Sequence, residues 1–345
     1  MQNKSVLVIL TGGTISMVQD KQSNALVPAD EATFRSFIPE LYQSDVRIEL
    51  KPFTPFIDSS DMNPHNWSRL ANIIFNEYNN YDGFVILHGT DTMAYTASAL
   101  SFMLDNLSKP VILTGSQLPM GLLRSDAKEN LLTAIEIAAE QDEEGNSIVP
   151  EVCIFFESML YRGNRTTKKN AEHFAAFNSY NYEPLAQAGV HIKYFPHLIH
   201  YPDLHKPLKL RTQTNQNVAI LKLFPGISEA TVKALLNIPN LRAVVLETYG
   251  AGNAPTDPWL YQALREATDR GIIIVNKTQC IVGSVEMGKY QTSLNLLNAG
   301  VLSGYDITTE ALLTKLMYLL GENGDDTESV KELLQHDLCG EMTIE

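Results

Sequence analysis

Five apolar residues in succession, Val6 to Leu10, run straight into Thr11-Gly12-Gly13-Thr14. A run that is apolar at every residue, not at alternate ones, belongs to a strand covered on both faces. That is the habit of a parallel sheet sandwiched between helices. Six further runs, most of them unbroken, punctuate the chain: Phe84–Leu87, Val111–Leu113, Val152–Phe156, Val218–Phe224, Ala243–Leu246 and Ile272–Val275. The segments between them carry helix signals. Asn63-Pro64 reads as an N-cap and a first-turn proline, and Trp67, Leu70, Ile74 and Tyr78 follow at helical spacing. Met93, Ala97, Leu100, Leu104 and Leu107 form a second stripe; Leu131, Ile135 and Ala138 form a third, behind Ser125 as a candidate cap. Asp257-Pro258 opens a further helix that Gly271 is placed to stop, and a helix over Thr308–Leu320 is predicted to end at Gly321. Strand and helix in alternation predict a doubly wound α/β fold.

A chain of 345 residues is too long for one small core, so two domains are expected. The boundary is placed in the proline-bearing, then polar, stretch before Val218. The domains are therefore drawn as 1–200 and 217–345, with 201–216 as linker. With 44% hydrophobic and 19% charged residues the composition is that of an ordinary globular chain. A net charge of −14 without a basic cluster argues against a nucleic-acid partner or an anionic membrane surface. No stretch approaches the ~18 apolar residues of a membrane span. MQNKSVLVIL has one lysine and five apolar residues before Thr11, short of the about 7–15 of a secretory signal core. Three widely spaced cysteines, Cys153, Cys280 and Cys339, fit no disulfide framework, and a cytoplasmic location is expected.

Ligands of parallel α/β sheets sit beyond the carboxyl ends of the strands. Two loops there share a pattern: Thr11-Gly12-Gly13-Thr14 after the first run, and Gly89-Thr90-Asp91-Thr92 after Phe84–Leu87. Glycines let backbone N–H groups approach a ligand or an oxyanion closely. The first loop matches neither G-x-G-x-x-G nor the phosphate loop, so no nucleotide cofactor is expected. Asp58, Ser59 and Ser60 form a polar turn that either binds a ligand or makes turn and cap bonds. RGNRTTKKN, residues 162–170, is either a solvated basic loop or the source of a lysine base. Asn253, in TYGAGNAP, is either a ligand contact or a turn residue. His197, His200 and His205 fit no zinc spacing, and no metal is expected.

TGGTIS and HGTDTMAYTASAL, with DSSDM, RGNRTTK, ETYGAGNAP and NKTQC, resemble the bacterial-type L-asparaginase family in its type I, cytoplasmic branch. The resemblance spans nearly the whole chain. It implies a larger N-terminal α/β domain with a mostly parallel sheet flanked by helices, and a smaller C-terminal α/β domain. It further implies a homotetramer built as a dimer of dimers, in which Asn253 completes a neighbour's site. By the same resemblance Thr14 is the nucleophile for the side-chain amide of L-asparagine, and aspartate and ammonia leave through a β-aspartyl ester. Thr90, Asp91 and Lys168 would form the group that accepts its proton, with Lys168 neutral at that moment. Ser59 would hold the α-carboxylate, flanked by Asp58 and Ser60. The Ser116 backbone would meet the substrate amide, and Gly13 and Thr90 would supply oxyanion N–H donors.

Two features depart from that family's pattern. Many members place a tyrosine on the loop after the nucleophile. Here no tyrosine lies between Thr14 and Tyr42, and the corresponding stretch offers Ala25, Leu26 and Val27. Some type I members also bind asparagine at an effector site that includes an arginine. This chain has Glu247 there, with Thr167 and Cys280 at the other matching positions. A carboxylate facing the effector's carboxylate repels it, so weak or absent activation by asparagine is expected. The rival readings are a dual asparaginase/glutaminase, an amidotransferase component, and a non-catalytic amino-acid sensor using the same pocket.

Overall fold

The computed structural model describes residues 4–19, 26–28, 31–42, 45–288 and 291–344. The chain divides into two compact units, Met1–Arg211 and Thr212–Glu345. The stretch around this division is not featureless: Lys209–Leu210 pairs antiparallel with Leu104–Asp105.

The first unit is built on an eight-stranded sheet. Its strands are β1 (Ser5–Leu10), β2 (Arg47–Pro52), β3 (Gly83–Leu87), β4 (Val111–Thr114), β5 (Val152–Phe156), β6 (Met159–Arg162), β7 (Ala186–Gln187) and β8 (Lys193–Tyr194). Their spatial order is β8-β7-β6-β5-β4-β3-β1-β2. Strands β2, β1, β3, β4 and β5 run parallel, and β6 turns back antiparallel on β5. Every residue of β1, β3, β4 and β5 is buried, as unbroken apolar runs require. The helices of this unit are α1 (Glu31–Phe37), α2 (Pro64–Glu77), α3 (Met93–Met103) and α4 (Ala127–Ala139). On one face Leu131, Ala134, Ile135 and Ala138 of α4 cluster with Val6, Val8, Val85 and Ile112 of the strands.

Local chemistry explains most helix ends. Asn63 Oδ1 accepts from the Asn66 N–H, and Pro64 occupies the first turn where its missing N–H costs nothing. Ser125 accepts from the Ala127 N–H at the start of α4. The stripe through Leu104 and Leu107 overshoots: α3 stops at Met103 and Leu104 enters a short strand. α3 is buried on nearly all sides, so its apolar pattern carries no edge by which to read its end.

The second unit holds a four-stranded parallel sheet, β9 (Val218–Lys222), β10 (Ala243–Thr248), β11 (Ile273–Thr278) and β12 (Leu302–Ser303), in that order. Among the described residues five helices accompany it: α5 (Glu229–Leu236), α6 (Pro258–Asp269), α7 (Gln291–Asn298), α8 (Thr309–Glu322) and α9 (Thr327–Leu334). Thr308 caps α8 by accepting from the Ala311 N–H. Gly321 does not end that helix, which runs on to Glu322. Its role is clearance, because a Cβ there would lie 2.4 Å from the Gln213 carbonyl.

A buried ion pair closes the end of this unit. Lys315 Nζ lies 2.6 Å from Glu341 Oε1, with side chains 1% and 0% exposed. Glu341 also accepts from the Leu338 and Cys339 N–H groups, and Lys315 donates to the His336 carbonyl. Burial alone would raise the Glu341 pKa. The Lys315 charge and these donors outweigh it and hold the carboxyl below its ordinary 4.5. Removing the charge of Glu341 strands Lys315 in the core, so Glu341→Gln is expected to cost about 3–5 kcal/mol of stability in urea unfolding. An unchanged midpoint would refute this role for the pair.

Candidate active site

The strand order β2-β1-β3 reverses the winding at β1, which places the topological crevice between the carboxyl ends of β1 and β3. Those ends carry TGGT and HGTDT. Both the N–H and the hydroxyl of Thr11 donate to the Leu87 carbonyl, at 3.0 and 2.8 Å, lashing the two strand ends together. The chain then needs glycine. Gly13 has φ 79°, and a Cβ there would lie 2.5 Å from both the Cα and the N of Gly89. A Cβ on Gly89 would in turn lie 2.5 Å from Ser59 Oγ. On Gly115, after β4, it would lie 2.5 Å from the His88 carbonyl. The loops of Gly13, Gly89 and Gly115 therefore meet backbone against backbone, with the Ser59 side chain packed on the bare Gly89 Cα, and larger residues would hold them apart.

Thr14 opens a single 3-10 turn, Thr14–Ser16, directly after Gly13 and is half-buried. Gly12, Gly13, Ser16, Met17, Phe56, Ile57 and Asp58 line a cleft of about 100 Å³ beside it. Ser16 is 2% exposed and its hydroxyl has no partner among the described residues. Ala25 lies outside the described residues. Leu26–Pro28 pairs antiparallel with Met17–Gln19.

The DSSDM turn is a 3-10 turn over Ser59–Asp61. Asp58 Oδ1 accepts from both the N–H and the hydroxyl of Ser60, each at 2.9 Å. Those two donors, the N–H first, lower the Asp58 pKa. Asp58 and Ser60 thus spend these groups on one another. Ser59 is 4% exposed, and its carbonyl accepts from the Thr92 hydroxyl at 2.6 Å, joining this turn to the HGTDT loop.

Lys168 brings the RGNRTTK segment to the same place. Its Nζ donates to Thr90 Oγ1 at 2.7 Å and to Asp91 Oδ1 at 2.6 Å. The lysine side chain is 18% exposed and that of Asp91 is 67% exposed, so the lysine is largely sheltered and its carboxylate partner faces solvent. The two arginines of the segment are not a solvated basic loop. Arg162 is buried in an ion pair with Glu151, and Arg165 is also buried. A strand pairing of Thr167–Lys168 with Phe177–Asn178 holds the lysine's backbone. Asn253, Glu247 and Cys280 belong to the second unit. Asn253 closes a bridge with Tyr249; Glu247 pairs with Lys222 at 3.2 Å and accepts from the Thr309 hydroxyl; Cys280 is exposed.

One functional element escaped sequence reading: the support behind Gly89 and Thr90. His88 is buried, and its Nδ1 meets the Gly89 carbonyl at 2.7 Å. A carbonyl only accepts, so Nδ1 carries the proton and Nε2 accepts from Thr96 Oγ1 at 2.9 Å. Thr96 Oγ1 accepts in turn from Trp67 Nε1 at 3.2 Å. Burial pushes the His88 pKa down from 6.5 to about 4, opposed only by the Gly89 hydrogen bond. His88 stood in plain view beside GTDT, but nothing in its neighbours announced that it faces inward.

Comparison with known proteins agrees with this geometry. Residues 5–200 match the model "Asparaginase, N-terminal", and residues 217–334 match "Glutaminase/Asparaginase C-terminal domain". L-asparaginase 1 of Escherichia coli strain K12 is 46% identical over 99% of both chains. The 60 kDa lysophospholipase of Homo sapiens is 49% identical over 84% of this chain and 49% of its own length. The crystal structure of L-asparaginase I from Vibrio cholerae superposes with a TM-score of 0.89 at 42% identity, covering 99% of each chain.

The neutral state of His88 is open to test. Because its folded pKa is lowered, it contributes stability that is present above about 6.5 and lost as pH falls toward about 4. An NMR titration of the imidazole should show a midpoint near 4, and a midpoint near 6.5 would contradict the buried network. From the paired loops of the first unit to the matches across both units, the chain belongs to the asparaginase family.

Proposed function

We propose that this chain is an L-asparagine amidohydrolase that releases L-aspartate and ammonia. The observation that carries the reading is Lys168 bridging Thr90 and Asp91 at the crevice that opens beside Thr14. An unassisted threonine hydroxyl is a poor nucleophile and needs a base within hydrogen-bond reach of a relay. Here the relay is Thr90 and the base is Lys168. The Thr14 hydroxyl attacks the amide carbon, and Gly13 and Thr90 stabilise the oxyanion through their N–H groups. The C–N bond breaks, nitrogen leaves as ammonia, and a β-aspartyl ester remains on Thr14. Water then releases aspartate and restores the hydroxyl. Ser59 binds the α-carboxylate, flanked by Asp58 and Ser60, Asp91 pairs with the α-ammonium, and the Ser116 backbone meets the amide.

The assembly belongs to the same proposal: a cytoplasmic homotetramer, a dimer of dimers, in which Asn253 completes the site of a neighbouring subunit. No nucleic-acid or membrane partner is part of it. No helix among the described residues is long and apolar enough to cross a membrane.

Ammonia release from L-asparagine and L-glutamine, for the wild type and Thr14→Ala, tests the chemistry. Asparagine turnover that falls by at least about a thousandfold in Thr14→Ala is expected. Equal turnover of both amides would indicate a dual activity, since one methylene discriminates by only ~1–3 kcal/mol. Asparagine binding without turnover would indicate a sensor instead.

Glu247 generates a second expectation. Its carboxylate is engaged by Lys222 and Thr309, which leaves an acidic group where an arginine would receive an effector's carboxylate. The rate should rise hyperbolically with asparagine, and a sigmoidal curve would count against this assignment of Glu247, Thr167 and Cys280.

A further inference from the structure

Ser116 sits in the turn that follows β4, and both of its peptide groups are oriented from one place, the first turn of α4. The Gly115 carbonyl accepts from Asn130 Nδ2 at 2.9 Å. The Gln117 N–H lies 3.1 Å from both oxygens of Asp126, and the Leu118 N–H donates to Asp126 Oδ1 at 3.2 Å. Asn130 Nδ2 also reaches Asp126 Oδ2 at 3.3 Å, while its Oδ1 accepts from the Glu157 N–H at 3.3 Å. Asn130 is 2% exposed, so these bonds are sheltered from water. The Ser116 hydroxyl is spent within the turn, donating to the Leu118 carbonyl at 2.6 Å.

In a trans peptide unit the C=O and the N–H point in opposite directions. The Gly115 carbonyl and the Gln117 N–H are both directed at α4. The Ser116 N–H and the Ser116 carbonyl are their trans partners, so both point away from α4. The same turn abuts the Thr90 loop: a Cβ on Gly115 would lie 3.5 Å from Thr90 Cγ2.

We propose that Asp126 and Asn130 are positioning residues for the leaving group, holding the Ser116 carbonyl where it accepts a hydrogen bond from the substrate's amide nitrogen. The proposal rests on the amidohydrolase reading of the cleft, and it adds a chemical consequence. The Ser116 carbonyl can help only a leaving group that carries an N–H. An ester of the same acid offers none, yet it uses the same nucleophile, oxyanion donors and α-group contacts. Disturbing the clamp therefore harms amide hydrolysis selectively, whereas a general loosening of the fold harms both substrates alike.

The full chain is assayed as wild type, Asn130→Asp and Asp126→Asn, with L-asparagine and with the β-methyl ester of L-aspartate. Asn130→Asp keeps the side-chain shape but sets an acceptor against the Gly115 carbonyl. Asp126→Asn sets an amide N–H against Asn130. Both should lower kcat for asparagine by about tenfold or more, the size of effect a small misplacement causes, and leave its KM and the ester rate within about threefold. Equal losses on amide and ester, or no loss on either, would overturn the inference while leaving the amidohydrolase reading intact. Wild-type protein inactive on both substrates would overturn that reading and this inference with it. Should Asn130→Asp fail to fold by circular dichroism, Asp126→Asn, at a half-buried position, decides by the same criterion.

Discussion

The close approach of Gly13 to Gly89 is the constraint from which the first unit's site follows. Loops that leave neighbouring parallel strands are normally held apart by the side chains between them. Here the backbones touch, because neither residue has a Cβ to intervene. That contact brings the nucleophile candidate Thr14 and the relay candidate Thr90 into one crevice, each directly after its glycine. It also makes the crevice intolerant of substitution. A Cβ at Gly13 would need to pass through peptide backbone, which has no rotamer with which to yield. The Thr11 hydroxyl on the Leu87 carbonyl fixes the same juncture from below.

Around this contact, polar groups that face inward are neutral or are paired. His88 is held uncharged, and every donor in the row Trp67, Thr96, His88, Gly89 has one acceptor. Asn130 and Asp126 do the same for the 115–118 turn. Charge appears where solvent begins, at Lys168 and Asp91. Asp91 is well exposed, so water screens its pull on the lysine. A cleft built this way presents fixed dipoles at its floor and a lysine–carboxylate pair at its rim. Acyl transfer from an amide needs that division, since the oxyanion requires donors that do not reorganise and the nucleophile requires a base that changes state.

Much of this was legible in residues. Unbroken apolar runs marked buried parallel strands, and paired Gly-Thr loops marked the crevice, because both signals are local and arise from backbone chemistry. Asn63-Pro64 and Thr308 announced their helix starts for the same reason. Three things were not legible. The ends of α3 and α8 depend on burial and on a neighbouring backbone, and Gly321 looked like a stop while serving as clearance. His88 reads the same in sequence whether it faces the core or the cleft. The clamp of Asp126 and Asn130 on the 115–118 turn is set by tertiary packing, and nothing in the i to i+4 spacing says which loop a helix's first turn will hold.

The placement of Lys168 shows how far that non-local dependence reaches. The parallel strands can deliver residues only at their own ends, yet the lysine arrives from the antiparallel extension. β6 ends at Arg162, whose guanidinium pairs with Glu151 at 2.6 Å and donates to the Leu198 carbonyl at 2.8 Å. Glu151 accepts in turn from the His200 N–H at 2.6 Å. From this anchor a single turn over Gly163–Arg165 leads to Thr166, whose hydroxyl returns to the Arg162 carbonyl at 2.7 Å. Gly163 fits because a Cβ there would lie 2.9 Å from both the Val152 carbonyl and Ala97 Cβ. The lysine that touches Thr90 is thus located by a buried ion pair several residues upstream. A charge pair in that position contributes little net stability, since desolvation offsets most of its attraction. What it supplies is register: a fully buried guanidinium accepts one arrangement of partners, and one arrangement of partners puts Lys168 Nζ at one place.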